Sequence, residues 1–140
     1  MSIVIPIIVF VCWCGYAAME GNREAAFFHL ISVDKKTGRG LHIVFTIQRA
    51  LVLVCMALCL WKVAVACIFV FPFIHDGSYY SSRNTFDIAA APQSSTHLYP
   101  ERWFAQSTTS TALTTKFLTP VVRTVLAAAG VVFFIVQFFI

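Results

Sequence analysis

Long apolar runs alternate with short polar segments along this chain. Apolar residues occupy positions 2–19, 42–74 and 118–140 with few interruptions. An α-helix of about 20 apolar residues is long enough to cross the ~30 Å hydrocarbon core of a bilayer. We therefore predict an all-α, polytopic membrane protein that forms a single membrane-embedded domain over residues 1–140.

The first helix is expected to extend beyond its apolar run. No Lys or Arg precedes that run, so it lacks the positive flank of a cleaved signal peptide, and we expect it to be retained. Glu20, Arg23 and Glu24 are spaced to interact along one helix face, and we predict that the helix continues to about Ser32. Charged residues and two glycines at positions 34–40 indicate a turn, with a second helix starting near Leu41.

The run at 42–74 is too long for one upright span. Its 33 residues would form a helix of about 50 Å, against a hydrocarbon core of ~30 Å. The polar break is Leu60-Trp61-Lys62, and Trp and Lys are typical of a membrane interface. Since neither Gly nor Pro marks a turn there, two arrangements stay open: four transmembrane helices as two helical hairpins, or three spans with one long central helix.

The distribution of basic residues favours the four-span arrangement. With a reversal at residues 61–62, nine of the ten basic residues fall on one side and only Lys62 on the other. With three spans the split is five to four, and Lys62 lies inside the membrane. By the positive-inside rule, we expect both termini on the non-cytoplasmic side and a polar cytoplasmic loop segment at about 76–117.

Composition supports a membrane protein and excludes other classes. Apolar residues make up 59% of the chain and charged residues 11%, against ~45–50% and ~25% in soluble domains. The net charge of +4 is not gathered into a basic stripe of the kind that binds nucleic acid. We therefore predict the lipid bilayer as a partner, no nucleic acid and no cofactor.

The cysteines give no sign of a disulfide framework or a metal site. None lies in a polar loop, where an oxidising compartment would form disulfides. Cys55 and Cys59 share a helix face, but no His or carboxylate lies within five residues of either. We interpret all five as small buried apolar residues: Cys12, Cys14, Cys55, Cys59 and Cys67.

Helical-hairpin geometry places five polar residues at one level. A turn near residues 35–36 pairs positions whose numbers sum to about 71, so Glu20 falls opposite position 51, within about 3 Å of Arg49 along the helix axis. A second turn at 61–62 pairs numbers that sum to about 123, so Arg49 lies near His75 and Asp76. We predict a polar layer of Glu20, Arg23, Arg49, His75 and Asp76. Ion pairing is the plain interpretation, since unpaired charges are costly near hydrocarbon; the alternative is a functional site for ions, protons or a lipid headgroup.

A second group of residues is a candidate for ligand or headgroup contacts. It consists of Tyr79, Tyr80, Arg83, His29 and His42. Tyrosine and arginine at headgroup level form an ordinary interfacial belt. A binding site near His75 and Asp76 would instead require these side chains to converge on a cavity with Glu20 or His42.

No motif in the sequence indicates an enzyme. Serine-nucleophile, P-loop and dinucleotide-binding patterns are absent from the sequence, and no residue stands out as catalytic. We favour a non-enzymatic assembly subunit or a simple pore that self-associates through the small residues 127–130 of the last helix. The alternative is a membrane-embedded enzyme or carrier that uses the polar layer.

Overall fold

The computed structural model describes residues 3–30, 35–90, 103 and 117–140. Three helices make up almost all of this part of the chain: α1 (Val4–Leu30), α2 (Lys35–Ala90) and α3 (Pro120–Phe139). The predicted all-α class is confirmed. By length and composition, Val4–His29, Gly40–Phe86 and Pro120–Phe139 are each able to cross a membrane, as expected of a multi-pass membrane protein. Their number matches the three-span alternative.

The central helix α2 reverses its direction at Leu60. This residue has φ −141° and ψ 56°, outside the helical region, and divides α2 into a first arm (residues 35–59) and a second arm (residues 61–90). A guanidinium nitrogen of Arg49 lies 2.9 Å from Nε2 of His75, 26 residues away. A continuous helix would separate these two residues by about 39 Å. The second arm therefore returns alongside the first.

Helix contacts give the direction of α1 relative to both arms of α2. The ring of Phe28 stacks on that of His42, with centroids 5.0 Å apart, so α1 and the first arm run antiparallel on either side of their connection. Nε1 of Trp13 donates a hydrogen bond to the Cys67 carbonyl oxygen, 3.2 Å away, and Ser82 donates to Asn22 further along both segments. Residue numbers rise on both segments from the first contact to the second, so α1 and the second arm run parallel.

The apolar core lies between α1, the second arm and α3. Its buried residues are Trp13, Val63, Ala66, Cys67 and Phe134. The ring of Phe134 also stacks on Phe10, with centroids 4.5 Å apart. The C-terminal half of α3 therefore lies against the N-terminal half of α1, at the end of the bundle where Leu60 is found.

Two glycines mark the closest approaches between helices. A Cβ atom at Gly21 would overlap the His75 carbonyl oxygen and lie 3.0 Å from the Tyr79 nitrogen. A Cβ atom at Gly130 would lie 2.9 Å from the Ala66 carbonyl oxygen. The missing side chains therefore let α1 and α3 approach the backbone of the second arm directly.

A hydroxyl residue and a proline define the start of α3. Thr119 is the N-cap residue, and its hydroxyl oxygen accepts a hydrogen bond of 3.3 Å from the Val122 nitrogen. Pro120 follows at the first helical position, where its missing N–H costs no intrahelical hydrogen bond. The last apolar run therefore forms a helix with a defined start.

The structure corrects two predicted boundaries. Because α2 begins at Lys35, the turn predicted at 34–40 is wrong for residues 35–40. The helix also continues to Ala90, so residues 76–90 are not part of the loop predicted at 76–117. Within this extension, the Ser82 hydroxyl donates a hydrogen bond of 2.6 Å to the Asn22 side chain of α1. Apart from Trp103 and residue 117, the remainder of that loop lies outside the described residues.

The cysteines differ from their predicted burial. Cys67 is buried, but Cys12, Cys55 and Cys59 are exposed on the outer surface of the bundle. Periodicity alone did not separate inner from outer positions, because both faces of these helices are apolar. All five cysteines are free thiols.

Candidate functional site

A layer of charged side chains crosses the bundle. Each of the four helical segments contributes at least one residue to it, and these residues form a continuous series of polar contacts. We call this group the ionic layer. Its members are Glu20, Arg23 and Glu24 of α1, Arg49 of the first arm, His75 and Asp76 of the second arm, and Arg123 of α3.

Arg49 is the centre of the ionic layer. Its Nε lies 3.0 Å from Oε2 of Glu20, and its Nη2 pairs with Oε1 of Glu24. The guanidinium carbon also lies 5.1 Å from the centroid of the Phe71 ring, within the range of a cation–π contact. Arg49 therefore joins the first arm to both α1 and the second arm.

His75 connects Arg49 to the opposite half of the layer. Its Nε2 lies 2.9 Å from Nη2 of Arg49 and 3.6 Å from Oε1 of Glu24. Its Nδ1 lies 2.9 Å from Oδ1 of Asp76. The imidazole also stacks on Phe71, with ring centroids 4.9 Å apart, which holds the ring in one orientation.

Two further arginines stand at the ends of the layer. Nη2 of Arg23 lies 3.3 Å from Oε1 of Glu20, and about half of the Arg23 side chain is exposed. Nη1 of Arg123 lies 3.5 Å from Oδ2 of Asp76, and its guanidinium carbon is 5.6 Å from the centroid of the Tyr80 ring. Arg123 thereby brings α3 into the layer.

Four members of the ionic layer are buried, and the charges of the whole layer balance. Glu20, Glu24, His75 and Arg123 are each at most 6% exposed. Three carboxylates and three guanidinium groups give a net charge of zero when His75 is neutral. Buried charges are costly unless they are paired, so this balance makes the layer compatible with an apolar interior.

The structure brings all five predicted polar-layer residues together. The predicted approach of Glu20 to Arg49 is present as a direct ion pair. The sequence reasoning did not include Glu24 or Arg123 in the layer. Two features of the sequence point to these residues. Glu24 is four residues from Glu20 and so lies on the same helix face, and Arg123 is an isolated charge in an apolar run.

The other candidate residues lie at different places along the bundle. Tyr80 is buried beside Arg123, and Tyr79 packs edge-on against it at 5.2 Å. His42 instead stacks on Phe28, and the ring of His29 lies 5.7 Å from that of Phe86. Arg83 is half-buried on the second arm.

Within residues 3–30, 35–90, 103 and 117–140, no group of three or more His, Cys, Asp or Glu residues is arranged to hold a metal ion. The chain matches no family model, and no curated protein or solved structure is significantly similar to it. The fold and the ionic layer thus define the class: an all-helical protein with several membrane-span-like helices and a charge-balanced polar interior.

Proposed function

We propose that this protein is a non-enzymatic subunit of a membrane assembly. The observation that carries the proposal is the ionic layer, in which each carboxylate is paired with an arginine of the same chain. Groups that neutralise one another hold the four segments together and are poorly placed to act on a substrate. The ionic layer therefore stabilises the fold, and the outer surface of the bundle binds the other subunits of the assembly.

A pore through a single bundle is less well supported. The ionic layer fills the interior at one level, and Trp13, Val63, Cys67 and Phe134 fill it at another. A water-filled path would have to displace both. The packing of the interior therefore favours the assembly role over the simple pore.

The outer face of the first arm is the surface best suited to assembly. No residue from Gly40 to Leu60 is buried, so this arm is covered on one side only. Its exposed residues include a stripe with alternating spacings of four and three: Val44, Gln48, Leu51, Cys55 and Leu58. Such spacing is typical of helices that pack lengthwise against one another.

A second copy of this chain is the partner that we propose for the stripe. The Gln48 side chain both donates and accepts hydrogen bonds, so two copies of it complement each other in an apolar setting. The sequence predicts self-association through the small residues 127–130 of α3, but Gly130 packs against Ala66 and Phe69 of α2. We therefore place self-association on the first arm.

Cysteine cross-linking tests this assignment. A variant whose single cysteine is Cys55 is expected to form a disulfide-linked dimer in membranes under mild oxidation, because Cys55 lies on the stripe. A variant that retains only Cys12, which is also exposed but lies on α1, is the matched control and is expected to remain largely monomeric. Adding Gln48→Leu is expected to reduce the Cys55 dimer several-fold. Equal cross-linking through Cys55 and Cys12 would indicate random collision and contradict the proposal.

The proposed orientation places both termini on the non-cytoplasmic side. In a cysteine-free background, Lys36→Cys and Gln93→Cys are expected to react with a membrane-impermeant thiol reagent from the same, cytoplasmic side. The reason is the nine-to-one distribution of basic residues about a reversal at 61–62. Labelling from opposite sides would instead support three spans.

A carrier or membrane-embedded enzyme is the second candidate function. It is favoured by His75, an ionisable side chain held between Arg49 and Asp76 in a buried position. Ionisable residues within membrane segments often mark the paths of protons or ions.

A further inference from the structure

The two ring nitrogens of His75 have partners of opposite kind. A guanidinium group only donates hydrogen bonds, so Nε2, which lies 2.9 Å from Nη2 of Arg49, must accept and carries no hydrogen. A carboxylate accepts, so Nδ1 donates its hydrogen to Asp76 at 2.9 Å. These partners assign the neutral imidazole with its hydrogen on Nδ1.

We propose that His75 is a proton-binding site inside the bundle. When a proton binds to Nε2, this nitrogen loses its hydrogen bond from Arg49 and donates one to Glu24 instead. The proton comes from water, and no other bond forms or breaks. Binding turns Nε2 from an acceptor into a donor that faces the donating Nη2 of Arg49. The two positively charged groups then repel each other.

Glu24 is the acceptor placed to receive the new hydrogen bond. Its Oε1 lies 3.6 Å from Nε2 of His75, and the same oxygen pairs with Arg49. A small shift of this carboxylate moves it from one cation to the other. Glu20 is then the carboxylate that still pairs with Arg49, and the net charge of the ionic layer changes from zero to +1.

The charged groups around His75 come from every neighbouring segment. The carboxylates Glu24 of α1 and Asp76 of the second arm favour the added proton. Arg49 of the first arm and Arg123 of α3, which acts through Asp76, oppose it. His42 of the first arm also lies close enough to interact electrostatically with both Glu24 and His75, and its neutral form leaves the balance unchanged.

Proton binding would loosen the first arm in particular. Arg49 is that arm's only member of the ionic layer, whereas α1 supplies three residues. Leu60 interrupts the helix between the two arms, so we expect the first arm to move relative to the second about this residue. We expect the ends of the two arms remote from Leu60 to separate when His75 is protonated.

The test combines two measurements on the full-length protein in lipid bilayers. With ¹⁵N-labelled histidine, NMR is expected to show His75 protonated only on Nδ1 at neutral pH and on both nitrogens after acidification. Spin labels at Thr46→Cys and Thr85→Cys, in a background without native cysteines, are expected to move apart over the same pH range. His75→Gln is expected to abolish that movement, whereas the matched control His42→Gln is expected to keep it.

Either measurement is able to overturn the proposal. A hydrogen on Nε2 of His75 at neutral pH would contradict the tautomer on which the exchange depends. An arm movement that persists in the His75→Gln variant would assign the response to another group. If that variant does not fold, the NMR measurement on the unmodified protein still decides the proposal. It reports the protonation of each His75 nitrogen, and the signals are assigned to His75 through backbone correlations. Neither outcome bears on Cys55 cross-linking, which tests the assembly role separately.

Discussion

Replacing Arg49 by Met is expected to destabilise the folded bundle by about 3–5 kcal/mol, the usual cost of removing one partner of a buried ion pair. The side chains of Glu20 and Glu24 are only 1% and 3% exposed. Glu24 loses its arginine partner, and Glu20 keeps only the half-exposed Arg23. Met keeps much of the apolar stem of Arg, so the effect reports the charge rather than the volume. The free energy of unfolding in mixed detergent micelles is the quantity to measure.

Two further variants show whether this effect arises from unpaired carboxylates. Adding Glu20→Gln and Glu24→Gln to Arg49→Met is expected to restore part of the lost stability, because neutral amides cost less to bury than charges. Lys62→Met is the matched control, since this cation lies outside the ionic layer and contacts the exposed Trp61 ring. An Arg49→Met variant as stable as Lys62→Met would show that the ionic layer does not hold the bundle together.

Replacing Gly21 by Ala is expected to cost about 1–3 kcal/mol, the usual penalty for overpacking a tight interface. The added Cβ would overlap the carbonyl oxygen of His75, and a backbone atom cannot move aside as a flexible side chain does. The second arm would have to shift away from α1, which also strains the contacts that His75 makes in the ionic layer.

Gly15 provides the control for this substitution. It lies on the same helix, and a Cβ there would meet nothing within 4 Å. Gly15→Ala is therefore expected to be neutral or to stabilise by up to about 1 kcal/mol, since Ala favours helix over Gly. Equal effects of the two substitutions on thermal unfolding would mean that α1 and the second arm are not in close contact at Gly21.

The level of the ionic layer could be predicted from the sequence because it follows from helix geometry alone. A rise of 1.5 Å per residue and two turn positions place Glu20, Arg49 and His75 together without any knowledge of packing. The polar break at Leu60-Trp61-Lys62 supplied the second turn position. The structure places the interruption of α2 at Leu60 itself.

The direction in which each side chain points could not be predicted in the same way. Glu24 joins the layer because Gly21 lets α1 approach the second arm, and Arg123 joins because α3 packs along that arm through Gly130. Both depend on rotation about the helix axis. In helices that are apolar on every face, the hydrophobic pattern contains little information about that rotation.

Helix ends were also beyond the reach of the sequence pattern. Residues 76–90 contain glycine, hydroxyl and charged side chains, which favour a loop when considered alone. They remain helical where they pack against α1, as the contact between Ser82 and Asn22 shows. Tertiary packing overrides local preference in such segments.

The two arms of α2 lie side by side, and this arrangement allows the ionic layer to form. The distance between spin labels at Thr46→Cys and Thr85→Cys, measured at neutral pH in bilayers, tests it most directly. Two packed arms predict a backbone separation of about 15 Å, from the spacing of adjacent helices and the offset along their axes. One continuous helix would give about 58 Å over the same residues, and a distance near that value would contradict the account.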